Sequence, residues 1–217
     1  MTVNVHTGVV VGVEGQLVRM EANLRPGIPY FDLVGLAGSA VKEARTRVEQ
    51  AVRSSAMEWP RKRITLNLAP AELKKEGSGL DLAMAIACLA EPQQLDREKL
   101  NQSVVLGELS LNGELRPVRG VLPIVECAKK EGLIYAIVPS QNNEESRLID
   151  GIKTIPVTTL NAAINWLKDG TFPDAVPAPQ KVCEPPVELQ PDWSLLRGQN
   201  HAKRAAEIAL SGGHNML

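Results

Sequence analysis

Three local patterns in this sequence carry residue types that could do chemistry. Lys75-Glu76-Gly77-Ser78-Gly79 sets a serine in a glycine-rich turn ahead of an apolar stretch. A hydroxyl exposed at a helix start is a nucleophile if a base lies nearby, and the local sequence offers no histidine. The competing reading is a helix-capping turn. Gly35-Leu36-Ala37-Gly38-Ser39-Ala40-Val41-Lys42 leads from a strand into a helix, where backbone amides can hold an anion. Its spacing departs from G-x-x-x-x-G-K-[ST] and its lysine falls inside the helix, so a tight structural turn accounts for it better than nucleotide binding. The third pattern is charge. Residues 40–75 hold nine cations against four carboxylates, a net of +5. This is either an ordinary solvated face or a sequence-blind, salt-sensitive contact with phosphates. For the second reading the candidates are Arg45, Arg53, Arg61, Lys62, Arg63, Lys74 and Lys75. Glu43 and Arg47 stand at helical i, i+4 spacing and are expected to pair. His6, His201 and His214 are scattered, and no Cys-x-x-Cys occurs, so no metal site is expected.

The elements that must position these residues can be read from periodicity. Val9–Val13 and Leu17–Leu24 form a hairpin about Glu14-Gly15-Gln16, and Tyr30–Leu36 is a third strand. A helix follows with Ser39 as N-cap and Val41, Ala44, Val48, Ala51 and Val52 on its apolar stripe. Arg63–Leu68 is a strand. Leu73–Gly79 is a loop, and Leu80–Ala90, apolar almost all round, is a helix central to the core. Val104–Leu111 and Glu114–Val118 flank Asn112-Gly113, a strong hairpin signal. Helices at Leu122–Glu131, Asn142–Asp150 and Leu160–Lys168 then alternate with strands at Tyr135–Pro139 and Thr154–Val157. This is an α/β (α+β) pattern.

Six prolines within residues 171–191 mark an extended, semi-rigid linker. Gly198–Leu210 beyond it is an amphipathic helix, which cannot bury a core alone, so residues 192–217 are expected to open a second domain. A net charge of −1 over 217 residues argues against a chain driven as a whole by nucleic acid. Aromatics at 3% make base-stacking platforms improbable. Cys88 and Cys127 sit in apolar helical stretches as small buried hydrophobes, and three unspaced cysteines imply a reducing compartment. With no export signal and no long apolar run, a cytoplasmic chain without membrane contact is expected.

Several blocks together resemble the magnesium-chelatase-like AAA+ ATPases of the ComM/YifB group. They are Gly35-Leu36 with Ala40-Val41-Lys42-Glu43, Arg63 through Ala71, Lys75-Glu76-Gly77-Ser78, Gly107 through Leu111 with Gly113, and Arg116 through Gly120. Gly198-Gln199 with His201 through Ala205, and Gly212 through Asn215, complete the set. Ala37-Gly38 departs from the family's usual proline and acidic or amide residue. The resemblance implies a Lon-protease-domain-like, non-proteolytic fold of the ribosomal-protein second-domain type over residues 1–170. It implies the start of an AAA+ module from residue 192, with Gly198 and Gln199 on the adenine side and the Walker loop after Leu217. ATP and Mg²⁺ would then bind the full-length protein and not this chain. Hexamer assembly through the AAA+ domain, weak non-specific DNA contact and ATP-driven branch migration in competence and recombination are implied likewise. Laying the Lon lysine-aspartate-glycine-proline-serine pattern on this chain puts Gly79 at the nucleophile and Leu122 at the general base. The alternatives are a Lon-type serine protease and a chelatase partner that inserts Mg²⁺ into a porphyrin.

Overall fold

A computed structural model describes residues 2–75, 77–171 and 197–216. Residues 2–171 form one unit and residues 197–216 belong to another. The first opens with β1 (Thr2–Val11) and β2 (Glu14–Arg25), paired antiparallel from Thr2↔Asn23 to Val11↔Glu14. The turn is therefore Gly12-Val13, with Gly12 at φ +64°, rather than the expected Glu14–Gln16. Gly15 lies inside the strand instead. There a Cβ would overlap the Pro123 carbonyl, so the absent side chain is what lets a helix lie directly on β2.

Next come β3 (Tyr30–Val34), α1 (Ser39–Ser54), β4 (Arg63–Ala69) and α2 (Asp81–Leu89). The expected N-cap Ser39 is already helical; Gly38, in extended backbone, holds the cap position. The α1 stripe is as expected, with Val41, Ala44, Val48, Ala51 and Val52 all buried. Every residue of α2 is buried, Asp81 included. Each fully buried Leu, Ile or Met there stabilises by roughly 1.5–3 kcal/mol, which makes α2 the pillar of the core.

A short helix outside the expected elements, α3 (Arg97–Asn101), has as its N-cap Asp96, which accepts from the amides of Glu98 (2.9 Å) and Lys99 (3.2 Å). The single strand expected over Val104–Leu111 is two: β5 (Ser103–Val105) and β6 (Glu108–Leu109), the latter paired with β7 (Leu115–Arg116). Gly107 separates them because its amide turns to the Gly79 carbonyl (3.0 Å) and its carbonyl takes the Leu82 amide (3.0 Å). The Asn112-Gly113 turn is as expected, with Gly113 at φ +86° and the Asn112 side chain accepting from the Glu114 amide.

The chain continues through α4 (Val121–Lys130), β8 (Tyr135–Pro139), a 3-10 turn at Ser140–Asn142, α5 (Asn143–Ser146), β9 (Lys153–Val157) and α6 (Leu160–Asp169). The helix expected over Asn142–Asp150 shortens to the one turn of α5.

The seven-stranded sheet runs β3-β4-β2-β1-β5-β8-β9; its β4·β2 and β2·β1 joints are antiparallel and the others parallel. This is the mixed α/β architecture the sequence pattern implied. One face packs Val5, Met20, Leu66 and Ile137 against α1, α2 and α6. The other packs Val104, Ala136 and Val138 against α4. β5 and β8 are thus buried on both faces, while β3, β4 and the second half of β2 alternate between buried and open residues. The second unit supplies α7 (Asn200–Gly212), preceded by Gly198 and Gln199, both at positive φ. The proline-rich segment at 171–191 and Cys183 lie outside the described residues, apart from Thr171.

Candidate functional site

The serine-bearing turn lies where the N-terminus of α2 meets the β6–β7 hairpin and the approach to α4. Gly77, Ser78, Gly79, Glu108, Val118 and Arg119 line a cleft of about 430 Å³. Its walls are fixed by backbone. Gly107 ties the turn to β6, and the Asn142 side chain accepts from the Val118 amide (3.0 Å) and donates to its carbonyl (2.9 Å).

Within the cleft the Ser78 hydroxyl donates to the Glu108 carboxylate, whose other oxygen faces the Arg116 guanidinium at 3.5 Å. Beneath it, Asp81 is held bidentately by Arg47, at 2.7 Å and 3.0 Å, and also accepts from the Leu109 amide at 3.2 Å. Burial pushes the Asp81 carboxyl up from its ordinary value, while Arg47 and the Leu109 amide pull it down. The same bond holds the Arg47 guanidinium up. Asp81 was missed in the sequence because it opens a helix read only for its apolar residues. Its partner was missed because Glu43 is the local candidate for Arg47; in the fold Arg47 reaches 34 positions along the chain instead.

The positions that the Lon pattern assigns to chemistry carry none. Gly79 has no side chain, and Leu122 is held by its amide to Glu145 Oε1 at 3.1 Å. Among the described residues, the ionisable side chains lining the cleft are Glu108 and Arg119. A hydroxyl bonded to a carboxylate lacks the neutral amine that serine–lysine chemistry requires.

The basic stretch does not make one surface. Lys75, expected as a phosphate contact, is corrected. It is fully buried, it donates to the Pro70 carbonyl, and burial lowers its pKa. Its backbone bonds Leu36 (3.1 Å) and Gly38 (2.9 Å), which draws the residue inside. Arg53 pairs with Glu49 (2.9 Å) and Lys62 with Glu91 (3.1 Å), both exposed contacts of small worth. Arg45 sits 5.4 Å from the Phe31 ring, and Arg61 shares a hollow with Arg53 and Trp59. Lys74 is exposed. Arg63 lies on the sheet face away from α1, since its neighbour Ile64 packs in the α1–α2 core. Gly198 and Gln199 are exposed at the start of α7. Cys88 is buried as expected, but Cys127 is only half-buried.

A family model for subunit ChlI of Mg-chelatase matches residues 20–142, more than half of the chain. YifB of Escherichia coli is 39% identical over 98% of this chain and 41% of its own length. The competence protein ComM of Haemophilus influenzae is 40% identical over 95% of this chain and 41% of its own. A weaker likeness, 26% over 71% of this chain and 21% of the relative, is to the Lon protease of Mycolicibacterium smegmatis. The chain thus spans about two fifths of the length of YifB and ComM. Among the described residues no helix is long and apolar enough to cross a membrane. With a matched segment that runs from β2 through the serine turn to the wall of the cleft, the chain belongs to the Mg-chelatase subunit ChlI family.

Proposed function

We propose that this chain is the non-catalytic N-terminal module of a ComM/YifB-like AAA+ ATPase that acts on DNA in competence and recombination. Its ATP and Mg²⁺ would bind in the AAA+ domain, which this reading starts at residue 192, with Gly198 and Gln199 on the adenine side and a hexamer formed through that domain. The observation that carries the reading is the arrangement around Ser78. A cleft lies at the start of α2, yet the Ser78 hydroxyl in it is bonded to Glu108, and Leu122 stands where the Lon pattern laid on this sequence would have its base. A module that keeps this architecture without a nucleophile–base pair serves assembly or strand contact. The name of ComM supports the competence setting, and the length of the relatives supports a larger machine.

The test is DNA-stimulated ATP hydrolysis by the full-length cytoplasmic protein, with and without residues 1–170. Deletion is expected to lower the DNA-stimulated rate while basal hydrolysis persists. Equal stimulation with and without the module would refute the assignment.

A further inference from the structure

The open half of the sheet is the strongest unexplained surface. Four registered strands present it in rungs: Tyr30–Arg63–Arg25, then Asp32–Thr65–Asn23, then Val34–Asn67–Glu21, and Ala69–Arg19 with His6 beside it. These side chains are exposed or half-buried, whereas the alternate positions Phe31, Ile64, Leu66 and Met20 are in the core. α4 lies against β2 at Gly15 and Leu17, and so forms a wall beside the open floor.

Charge is distributed unevenly across this floor. Arg25 and Arg63 are directly opposite each other on antiparallel strands, an arrangement of like charges that destabilises a sheet pair. Neither forms an ion pair with a described residue: Arg25 donates to Asn23 (3.0 Å), and Arg63 lies 5.4 Å from the Tyr30 ring. Both line a hollow with Asn23, Pro26 and Thr65. Arg19 is exposed six residues back along β2, about 20 Å away at the rise of a strand. It lines the hollow between the sheet and α4 with His6, whose pKa burial and Arg19 both depress, so His6 adds no positive charge at neutral pH. Between the two basic corners stand Asn23, Thr65, Asn67 and the Glu21 carboxylate, which accepts from Asn67 (3.0 Å).

We propose that this open sheet face binds single-stranded DNA, with Arg25 and Arg63 at one end and Arg19 at the other contacting phosphates. The inference rests on the DNA-handling reading above and places its contact surface. Two arginines without acidic partners, forced side by side, are compensated by an anion bridging them. A single strand leaves its base edges free to meet the amides, hydroxyl and carboxylate of the floor. A duplex hides the Watson–Crick edges in pairing and would bring a second phosphate row against Glu21 and Asp32. With a single tyrosine on the floor, the contact is to backbone and base edges rather than by stacking.

The experiment is fluorescence anisotropy of this chain with a labelled oligothymidylate and with a duplex of equal length, across a salt series. Single-strand binding in the range ~10⁻⁴ to 10⁻⁶ M is expected. The triple variant Arg19→Gln/Arg25→Gln/Arg63→Gln should weaken it at least tenfold and lower the salt slope by about 2, at ~0.7 per phosphate contact. The triple lysine variant should keep the slope, which separates charge from folding damage. Unchanged binding in the glutamine variant overturns the proposal. So does loss of binding on changing Arg53 and Arg61 instead, preference for duplex, or no binding at all. A concentration-dependent dimer abolished by Arg25→Gln/Arg63→Gln, without DNA binding, would assign the face to a second copy. None of these outcomes touches the ATPase test, so the surface can fail while the module's role stands.

Discussion

Arg47→Ala probes the buried ion pair beneath the cleft, and its cost follows from the geometry. Asp81 has 1% of its side chain exposed and Arg47 has 27%. Removing the arginine strands a buried carboxylate with one remaining donor, the Leu109 amide. Breaking such a pair costs about 3–5 kcal/mol, and the partial exposure of Arg47 puts the expectation near the low end, about 3 kcal/mol. For a unit of this size that is a fall in Tm of roughly 6–12 °C. Asp81→Asn keeps the shape and the Leu109 bond and leaves Arg47 able to turn into water, so it should cost less, about 1–2 kcal/mol.

The pH dependence has a definite sign. Without Arg47, burial raises the folded pKa of Asp81 still further above its unfolded value near ~3.9. A carboxyl raised in this way destabilises the fold progressively as pH rises from the unfolded pKa to the folded one. The deficit of Arg47→Ala should therefore be full at neutral pH and shrink towards pH ~4. Urea unfolding followed by tryptophan fluorescence, reporting on Trp59 and Trp166, gives the midpoint and slope at each pH. A loss below about 0.5 kcal/mol, a pH-independent loss, or an Asp81→Asn cost equal to that of Arg47→Ala would show that the pair does not hold α2 in place.

Three further outcomes are expected. Gly15→Val drives a side chain into the Pro123 backbone and should cost about 2 kcal/mol or more by thermal melting; a variant as stable as the parent would mean α4 does not rest on β2 there. Burial raises the Cys88 thiol, so native-state alkylation followed by mass spectrometry should label Cys127 first and Cys88 only after unfolding; early labelling at Cys88 contradicts its place in α2. Incubation with unfolded casein should give no cleavage by this chain, since loss of a nucleophile or base can cost up to ~10⁶ in rate, and cleavage that vanishes in Ser78→Ala would restore the protease alternative.

Much of the fold was legible because its signals are local. The apolar stripe of α1, the all-apolar α2, the alternation in β4 and the Asn112-Gly113 turn each state their element within a few residues. What was not legible depends on pairs distant in sequence. Val104 through Leu111 reads as one continuous apolar run, and only the bonds of Gly107 to Gly79 and Leu82 divide it. Lys75 reads as exposed because Lys74, Glu76 and Ser78 surround it; its burial comes from backbone bonds to Leu36 and Gly38, which composition does not encode. Likewise the basic stretch reads as one patch because its residues are neighbours in sequence, while β4 turns Arg63 to the opposite face of the sheet from α1.

The two polar regions of this unit differ in a way that bears on what each can do. Around Ser78 the groups other than the exposed Arg119 are spent on one another: the hydroxyl on Glu108, Glu108 on Arg116, Asp81 on Arg47 and the Leu109 amide. A network satisfied in this manner rigidifies the start of α2 and has little left to offer a substrate without breaking bonds already made. On the sheet the reverse holds. Arg19, Arg25 and Arg63 stand exposed without carboxylate partners among the described residues, and two of them are set opposite each other at an electrostatic cost. Exposed guanidinium groups held on strands, rather than on loops, are pre-placed for an anionic partner. The serine turn therefore rigidifies the start of α2, and the open sheet holds the exposed cations that the proposed DNA contact would use.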